Sequence, residues 1–360
     1  MDVYYFVIAI TFLLCYIIKV PTHDEKAYLK KVIWVFMPIM IYGALRVDFG
    51  IDYANYEAEF NLLNGHPENI DVDYIHSELG YQWLEVIIPS WRLLVVLVSS
   101  LVVLGYVHLY YRYVQPEVFF FVVIFTFLYP DQSFFLNFVA MRNGLAISGF
   151  FFIIPLIIKR KYLYVILIAI ALSFIHTSAI IFIVMAILIG QNIKVTRKEQ
   201  IIWATIIIVL ALMPTSELIE WVLPFMKADE FESYRENYLI DSGHSSLLYG
   251  SVCCFFIYWI LSWAMRNREV LTSAQNVIWR LGLLYLMCPF LGPIGRTRMN
   301  YYFFPFYIIS LSYLFFDKWP NRIEKMLFIC LAVAVMFYAT FVVWMNNPLF
   351  PYSHYNSIFN

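Results

Sequence analysis

Charge is what this sequence has least of. Only 14% of its 360 residues are Asp, Glu, Lys or Arg, near half the usual ~25%. So low a fraction excludes a disordered chain and an ordinary cytosolic enzyme. Thirteen glycines exclude a collagen. The five cysteines, Cys15, Cys253, Cys254, Cys288 and Cys330, all lie in apolar runs and form no C-x-x-C pair. Neither a zinc site nor a disulfide framework is indicated. The first residues carry Asp2 and no basic stretch, so they read as a membrane span and not as a signal peptide. What the chain does have is apolar surface, at 62% of its residues. A membrane protein with many spans accommodates that composition.

A helix needs about 20 apolar residues to cross a bilayer. Apolar runs stand at 3–18, 32–45, 93–111, 118–130, 144–158, 162–174, 177–190, 201–214, 247–265, 277–291, 301–316 and 326–345. Those at 32–45, 162–174 and 177–190 are short for a full crossing. Basic residues flank the last pair on both sides, with Lys159, Arg160 and Lys161 before it and Lys194, Arg197 and Lys198 after it. If both flanks are cytoplasmic, the chain goes up and comes back. The expectation is an all-α polytopic protein of about 12 transmembrane helices, N-out and C-out. It is read as a single multi-pass domain, 1–360, with larger outer loops at about 46–84 and 215–246.

That topology places 17 of the 24 basic residues inside and 7 outside, as the positive-inside rule requires. The inner set mixes ten Lys with seven Arg, while six of the seven outer ones are Arg. Arginine is the residue for bidentate contact with phosphate, so the outer face reads as a site for a phosphate-bearing ligand. Pairing with the many outer carboxylates is the plainer account. In the first loop, Arg46, Asp48 and Asp52 cluster at the mouth of a span. Asp52 reads as an N-cap, with Tyr53, Tyr56, Phe60 and Leu63 on one face and Asn64-Gly65 as the stop. Glu78-Leu79-Gly80-Tyr81-Gln82-Trp83-Leu84 follows. In the second loop, Tyr234 and its neighbours offer aromatic faces suited to sugar rings or to the membrane surface.

Three further patches carry ionisable groups at membrane depth. Arg142, followed by Asn143 and Gly144, ends an apolar run. A charge there faces a cavity or partner, or snorkels. His176 marks a turn between two short helices, with Ser173 placed to share its face. Imidazole suits proton transfer near neutrality, and capping of helix-end carbonyls is the alternative role. Gly292-Pro293 opens a segment in which Arg296 and Arg298, if extended, point the same way as one clamp, before Tyr301 and Tyr302.

The R-x-D-x-G-x-D-Y-x-x-Y run at 46–56 resembles the first outer loop of the EpsG/Wzy-like polysaccharide polymerases. The Arg142 span end, the I-H-T-S-A run at 175–179, R-x-R-x-x-Y-Y at 296–302 and Pro351-Tyr352 fall where that family has similar patches. Asn143 stands where the family usually has Gln. The resemblance implies a GT-C-like membrane glycosyltransferase in the bacterial cytoplasmic (inner) membrane. There it would transfer a growing undecaprenyl-diphosphate-linked glycan onto a lipid-linked repeat unit at the outer face. The products are O-antigen, capsule or exopolysaccharide. Arg142, Arg296, Arg298 and Arg46 are the candidates for the diphosphate. His176, then Asp52 and Asp48, are candidates for the general base, and Tyr53, Tyr56, Tyr301 and Tyr234 for the sugars. No cofactor, metal or nucleic acid is implied. The expected partners are the undecaprenyl-diphosphate-linked oligosaccharide, the bilayer, a chain-length regulator and a flippase. A flippase for the same lipid, or another membrane glycosyl- or acyltransferase, is the alternative.

Overall fold

The computed structural model describes residues 2–20, 24–48, 50, 52–65, 77–128, 133–180, 272–287, 300–316 and 356–357, with isolated positions between 196 and 209 and at 326. The chain is mostly helical and divides into two compact units, 1–190 with 338–360 and 191–337. In the first unit the helices are α1 (Asp2–Ile17), α2 (Glu25–Leu45), α3 (Tyr53–Gly65), α4 (Leu79–Ile87), α5 (Trp91–Tyr113), α6 (Phe119–Leu128), α7 (Ser133–Val139), α8 (Met141–Ile158) and α9 (Tyr162–Ser173). A two-residue strand β1 (Arg46–Val47) pairs antiparallel with β2 (Asn356–Ser357).

Three of these helices, α2, α5 and α8, are long and apolar enough to cross a membrane. They correspond to the runs at 32–45, 93–111 and 144–158. The first is not short after all. Asp24 accepts the Ala27 N–H at 2.9 Å and starts α2 well before the apolar run. A capped, charged first turn is helical without being hydrophobic. The runs at 3–18, 118–130 and 162–174 are helices α1, α6 and α9 of 16, 10 and 12 residues. Those at 177–190, 201–214, 247–265 and 326–345 fall almost wholly outside the described residues.

The core of the first unit is α5, flanked by α2 and α8. Its N-cap Ser90 accepts the Leu93 N–H at 3.3 Å. The Tyr28 hydroxyl at the start of α2 donates to the Val114 carbonyl just past α5, at 2.8 Å, so the two helices run antiparallel. Helices α5 to α8 share an aromatic cluster. The Tyr106 ring sits 4.5 Å from Phe134 and 5.0 Å from Phe151, and Phe127 sits 4.9 Å from Phe134. Such edge-to-face pairs contribute about 0.5–1.5 kcal/mol each beyond their burial. Two pairs of polar groups are matched here. Tyr110 and Thr126 hydroxyls meet at 2.6 Å, and the Asn137 amide donates to the Tyr106 hydroxyl at 3.1 Å. The close approach of α5 to α8 depends on Gly105, where a Cβ would run into Ser148. The Ser148 hydroxyl in turn donates to the Leu101 carbonyl at 2.5 Å. Small residues at such crossings let backbones meet in a membrane.

In the second unit α10 (Ser273–Met287) packs on α11 (Asn300–Phe316), with Tyr285 stacked on Tyr307 at 4.8 Å. Arg280 is buried there and donates to Asn276 Oδ1 at 3.1 Å.

Gly105→Val is expected to separate α5 from α8 and destabilise the protein by about 1–3 kcal/mol. A lower melting temperature in detergent is the readout, and an unchanged one would show that this crossing tolerates a side chain.

Candidate functional site

The outer-loop segment predicted as a capped helix is α3. The Asp52 carbonyl accepts the Tyr56 N–H at 3.0 Å, and the helix stops at Gly65. It packs on α4. The Tyr56 and Tyr81 rings are 5.9 Å apart, and the Asn64 amide donates to the Glu85 carbonyl at 2.9 Å. Glu59 of α3 accepts from the Ser77 N–H at 3.0 Å and from the Ser77 hydroxyl, which ties the segment before α4 to α3.

The other end of α4 docks on the turn after α9. The Gly80 N–H donates to the Phe174 carbonyl at 2.8 Å. A Cβ on Gly80 would lie 2.7 Å from that oxygen, so only glycine fits. This contact delivers Glu78 to the turn. Its Oε1 accepts from His176 Nδ1 at 2.9 Å and from the Thr177 N–H and hydroxyl at 3.0 Å each. Its Oε2 pairs with Arg142 Nη1 at 2.8 Å. Arg142 stands in the first turn of α8, its guanidinium carbon 5.5 Å from the centre of the Tyr56 ring. The helical hairpin α8–α9 explains why residues 34 positions apart in sequence meet: its first and last turns lie at the same end.

Burial pushes the Glu78 carboxyl up, but the His176 hydrogen bond, the Arg142 charge and the Thr177 N–H outweigh it and bring it down to about 2. An ionised carboxylate only accepts. His176 Nδ1 is therefore the protonated ring nitrogen when the imidazole is neutral. The imidazole is 8% exposed, and its Nε2 has no hydrogen-bond partner among the described residues.

The predicted site residues thus divide. Arg142 and His176 come together, joined by a residue that carried no assigned role in the sequence. Glu78 is one acid among many in an acidic loop. The signals that could have singled it out are Gly80 two positions later and the need of Arg142 for a counter-ion. Ser173 does not share the site with His176, because its hydroxyl is turned back onto the Ile170 carbonyl at 2.7 Å.

Arg46 is wholly buried. Its Nη1 donates to the Gly43 carbonyl at 2.5 Å and to the Ser99 hydroxyl, and its guanidinium lies 5.4 Å from the Phe138 ring centre. Tyr53 is also buried. Its hydroxyl accepts from Trp91 Nε1 at 2.9 Å and Arg92 Nη1 at 3.3 Å, and Arg92 also donates to the Arg46 carbonyl at 2.7 Å. Tyr56 is covered by Arg142 and Tyr81. Asp48 is exposed with a φ of 47°, a left-handed conformation that Asp tolerates. Asp52 is half-buried at the start of α3. Tyr301 is in the first turn of α11, in the second unit. Arg296, Arg298 and Tyr234 lie outside the described residues.

A second acid is buried within electrostatic range of Glu59 and Arg142. Glu85 of α4 is inaccessible, and neither carboxyl oxygen has a hydrogen-bond partner among the described residues. Burial, reinforced by the negative charge of Glu59 and opposed by Arg142, pushes its carboxyl up to about 8. Glu85 is therefore mostly a neutral acid at pH 7.

Compared with known protein families, residues 31–356 match the EpsG family. No curated protein and no solved structure matches the chain.

The Glu85 environment sets a sign for pH dependence. Below about pH 4.5 this carboxyl is neutral whether the chain is folded or not. Between about 4.5 and 8 the unfolded chain loses the proton and the folded one keeps it, so stability falls as pH rises. Glu85→Gln is expected to remove that fall. The difference in melting temperature between variant and wild type should grow from pH 5 to about 8 and then level off. A constant difference would contradict the buried neutral acid.

Proposed function

We propose, because the chain belongs to the EpsG family, a family of polysaccharide polymerase-like proteins, that this membrane protein is a Wzy-type polymerase. It transfers a growing undecaprenyl-diphosphate-linked glycan onto a lipid-linked repeat unit at the outer face of the bacterial cytoplasmic membrane. The observation that carries the reading is the meeting of Arg142 and His176 at one end of the α8–α9 hairpin. A fixed cation and an imidazole with a partner-free nitrogen are what such a transfer needs.

The acceptor hydroxyl gives its proton to His176 Nε2 as its oxygen forms a bond to the anomeric carbon of the donor chain. The bond from that carbon to the diphosphate breaks, and undecaprenyl diphosphate leaves with the electron pair. Its growing negative charge is met by Arg142, joined by Arg296 and Arg298. Arg46 and Tyr53 have a supporting role, holding the loop mouth through Ser99, Phe138, Trp91 and Arg92. Asp52 and Asp48 stand behind His176 as bases. Sugar rings pack on aromatic faces of the outer loops, Tyr56, Tyr234 and Tyr301 among them. Arginines neutralise a diphosphate without a metal, so activity should survive a chelator. On this reading the chain has about 12 spans, N-out and C-out, and these groups face outside, where a flippase delivers the repeat unit and a chain-length regulator acts on the product.

The test is polymerisation of a purified lipid-linked repeat unit by the purified full-length protein. Wild type should form a ladder of products. Arg142→Ala and His176→Ala should each slow it on the order of 10²–10³-fold at normal membrane levels. Arg298→Lys should slow it as well, since a lysine cannot make a bidentate contact. Wild-type rates in the first two variants would sink the assignment.

A further inference from the structure

Glu78 sits between a guanidinium and an imidazole that the proposed reaction uses at different moments. Its Oε2 holds Arg142 and its Oε1 holds His176, while Thr177 pins Oε1 from its backbone and side chain. We infer that Glu78 is a positioning residue that serves as a shared counter-ion: it holds Arg142 before the donor binds and steadies His176 once the donor diphosphate has taken Arg142 over. This rests on the polymerase reading above.

Charge and geometry carry the inference. With no donor bound, one carboxylate and one guanidinium balance in a pocket where both side chains are under one-fifth exposed. A diphosphate brings negative charge to Arg142 and weakens its need for Glu78. When His176 Nε2 accepts the proton of the acceptor hydroxyl, the imidazolium finds the carboxylate already at its Nδ1. Each positive group then has an anion at each stage, and no unpaired charge is created in a site of low dielectric. The same contact fixes the tautomer. Because Glu78 accepts from Nδ1, Nε2 is the nitrogen free to act as base. A glutamine at 78 keeps the size but loses the charge: its carbonyl oxygen takes the place of Oε1 against the three donors, its amide NH2 faces the Arg142 guanidinium, and no anion is left for the imidazolium.

The position is held from three sides. Gly80 anchors the start of α4 to Phe174, Thr177 follows His176 directly, and Arg142 opens α8. A carboxylate that only satisfied Arg142 would not need the three donors on its other oxygen.

The experiment compares wild type, Glu78→Gln and Glu78→Asp as full-length proteins at matched membrane levels, with the purified lipid-linked repeat unit. For Glu78→Gln, kcat should fall on the order of 10²-fold, while KM for the donor falls by up to about fivefold because Arg142 has lost a competing carboxylate. Inorganic pyrophosphate should inhibit that variant at correspondingly lower concentration. Glu78→Asp keeps the charge but is one methylene short of both partners, and kcat should fall on the same order. If Glu78→Gln does not accumulate, Glu78→Asp decides on kcat. Wild-type kcat in either variant overturns the inference and leaves the polymerase reading standing. So does a rise in donor KM alongside the loss of kcat in Glu78→Gln, which is the mark of a merely structural role. Absence of polymer from the wild type would instead overturn the polymerase reading itself.

Discussion

Withdrawing a carboxylate from water costs about several kcal/mol unless charge and hydrogen bonds replace the hydration. At Glu78 they come from two segments distant in sequence: Arg142 from α8, and His176 and Thr177 from the turn after α9. The carboxylate itself arrives on the α3–α4 loop. The loop is therefore fastened to the helical hairpin by a group that is stable only when both are in place. Much of the surrounding construction follows from that demand, including the glycine at 80 and the packing of Tyr56 between Tyr81 and the Arg142 guanidinium.

Arg46 shows the same physics in a different role. It ends α2, is completely buried, and reaches back to Gly43 and across to Ser99 on α5. Its backbone pairs with Ser357 on β2 and accepts from Arg92. Two arginines thus stand at helix ends in one unit. One is closed over by scaffold, and the other pairs with a carboxylate and lies over the Tyr56 ring, near an imidazole nitrogen that has no hydrogen-bond partner among the described residues. The difference in their surroundings, and not their residue type, separates a framework role for Arg46 from the ligand-facing one proposed for Arg142.

Much of the fold was legible because its signals are local. α3 runs between Asp52 and Gly65, where the turn residues stand, and apolar runs locate α5, α8 and α9 to within a few residues. The start of α2 was not, because Glu25 to Lys31 form helix without being apolar. At the site, Arg142 and His176 stood out as ionisable groups in apolar surroundings, which is a property of their own neighbours in sequence. Glu78 is ordinary in its own neighbourhood. Its importance lies in contacts 64 and 98 residues away, and no local pattern encodes those. The buried state of Arg46 was hidden for the same reason: a basic residue at a span end looks alike whether it meets solvent or the inside of a neighbouring helix.

One feature of α9 bears on how a membrane meets this protein. At 12 residues it is about 18 Å long, against roughly 30 Å of hydrocarbon. Lipid beside so short an apolar helix must thin, or neighbouring helices must shield its ends. Leu163, Tyr164, Leu167 and Ile170 on α9 are exposed, so this helix offers lipid a face and not only protein. His176 follows directly beyond its end. A helix of this length matches a thin bilayer better than a thick one, and the turn that carries His176 and Thr177 stands at the end where that mismatch falls.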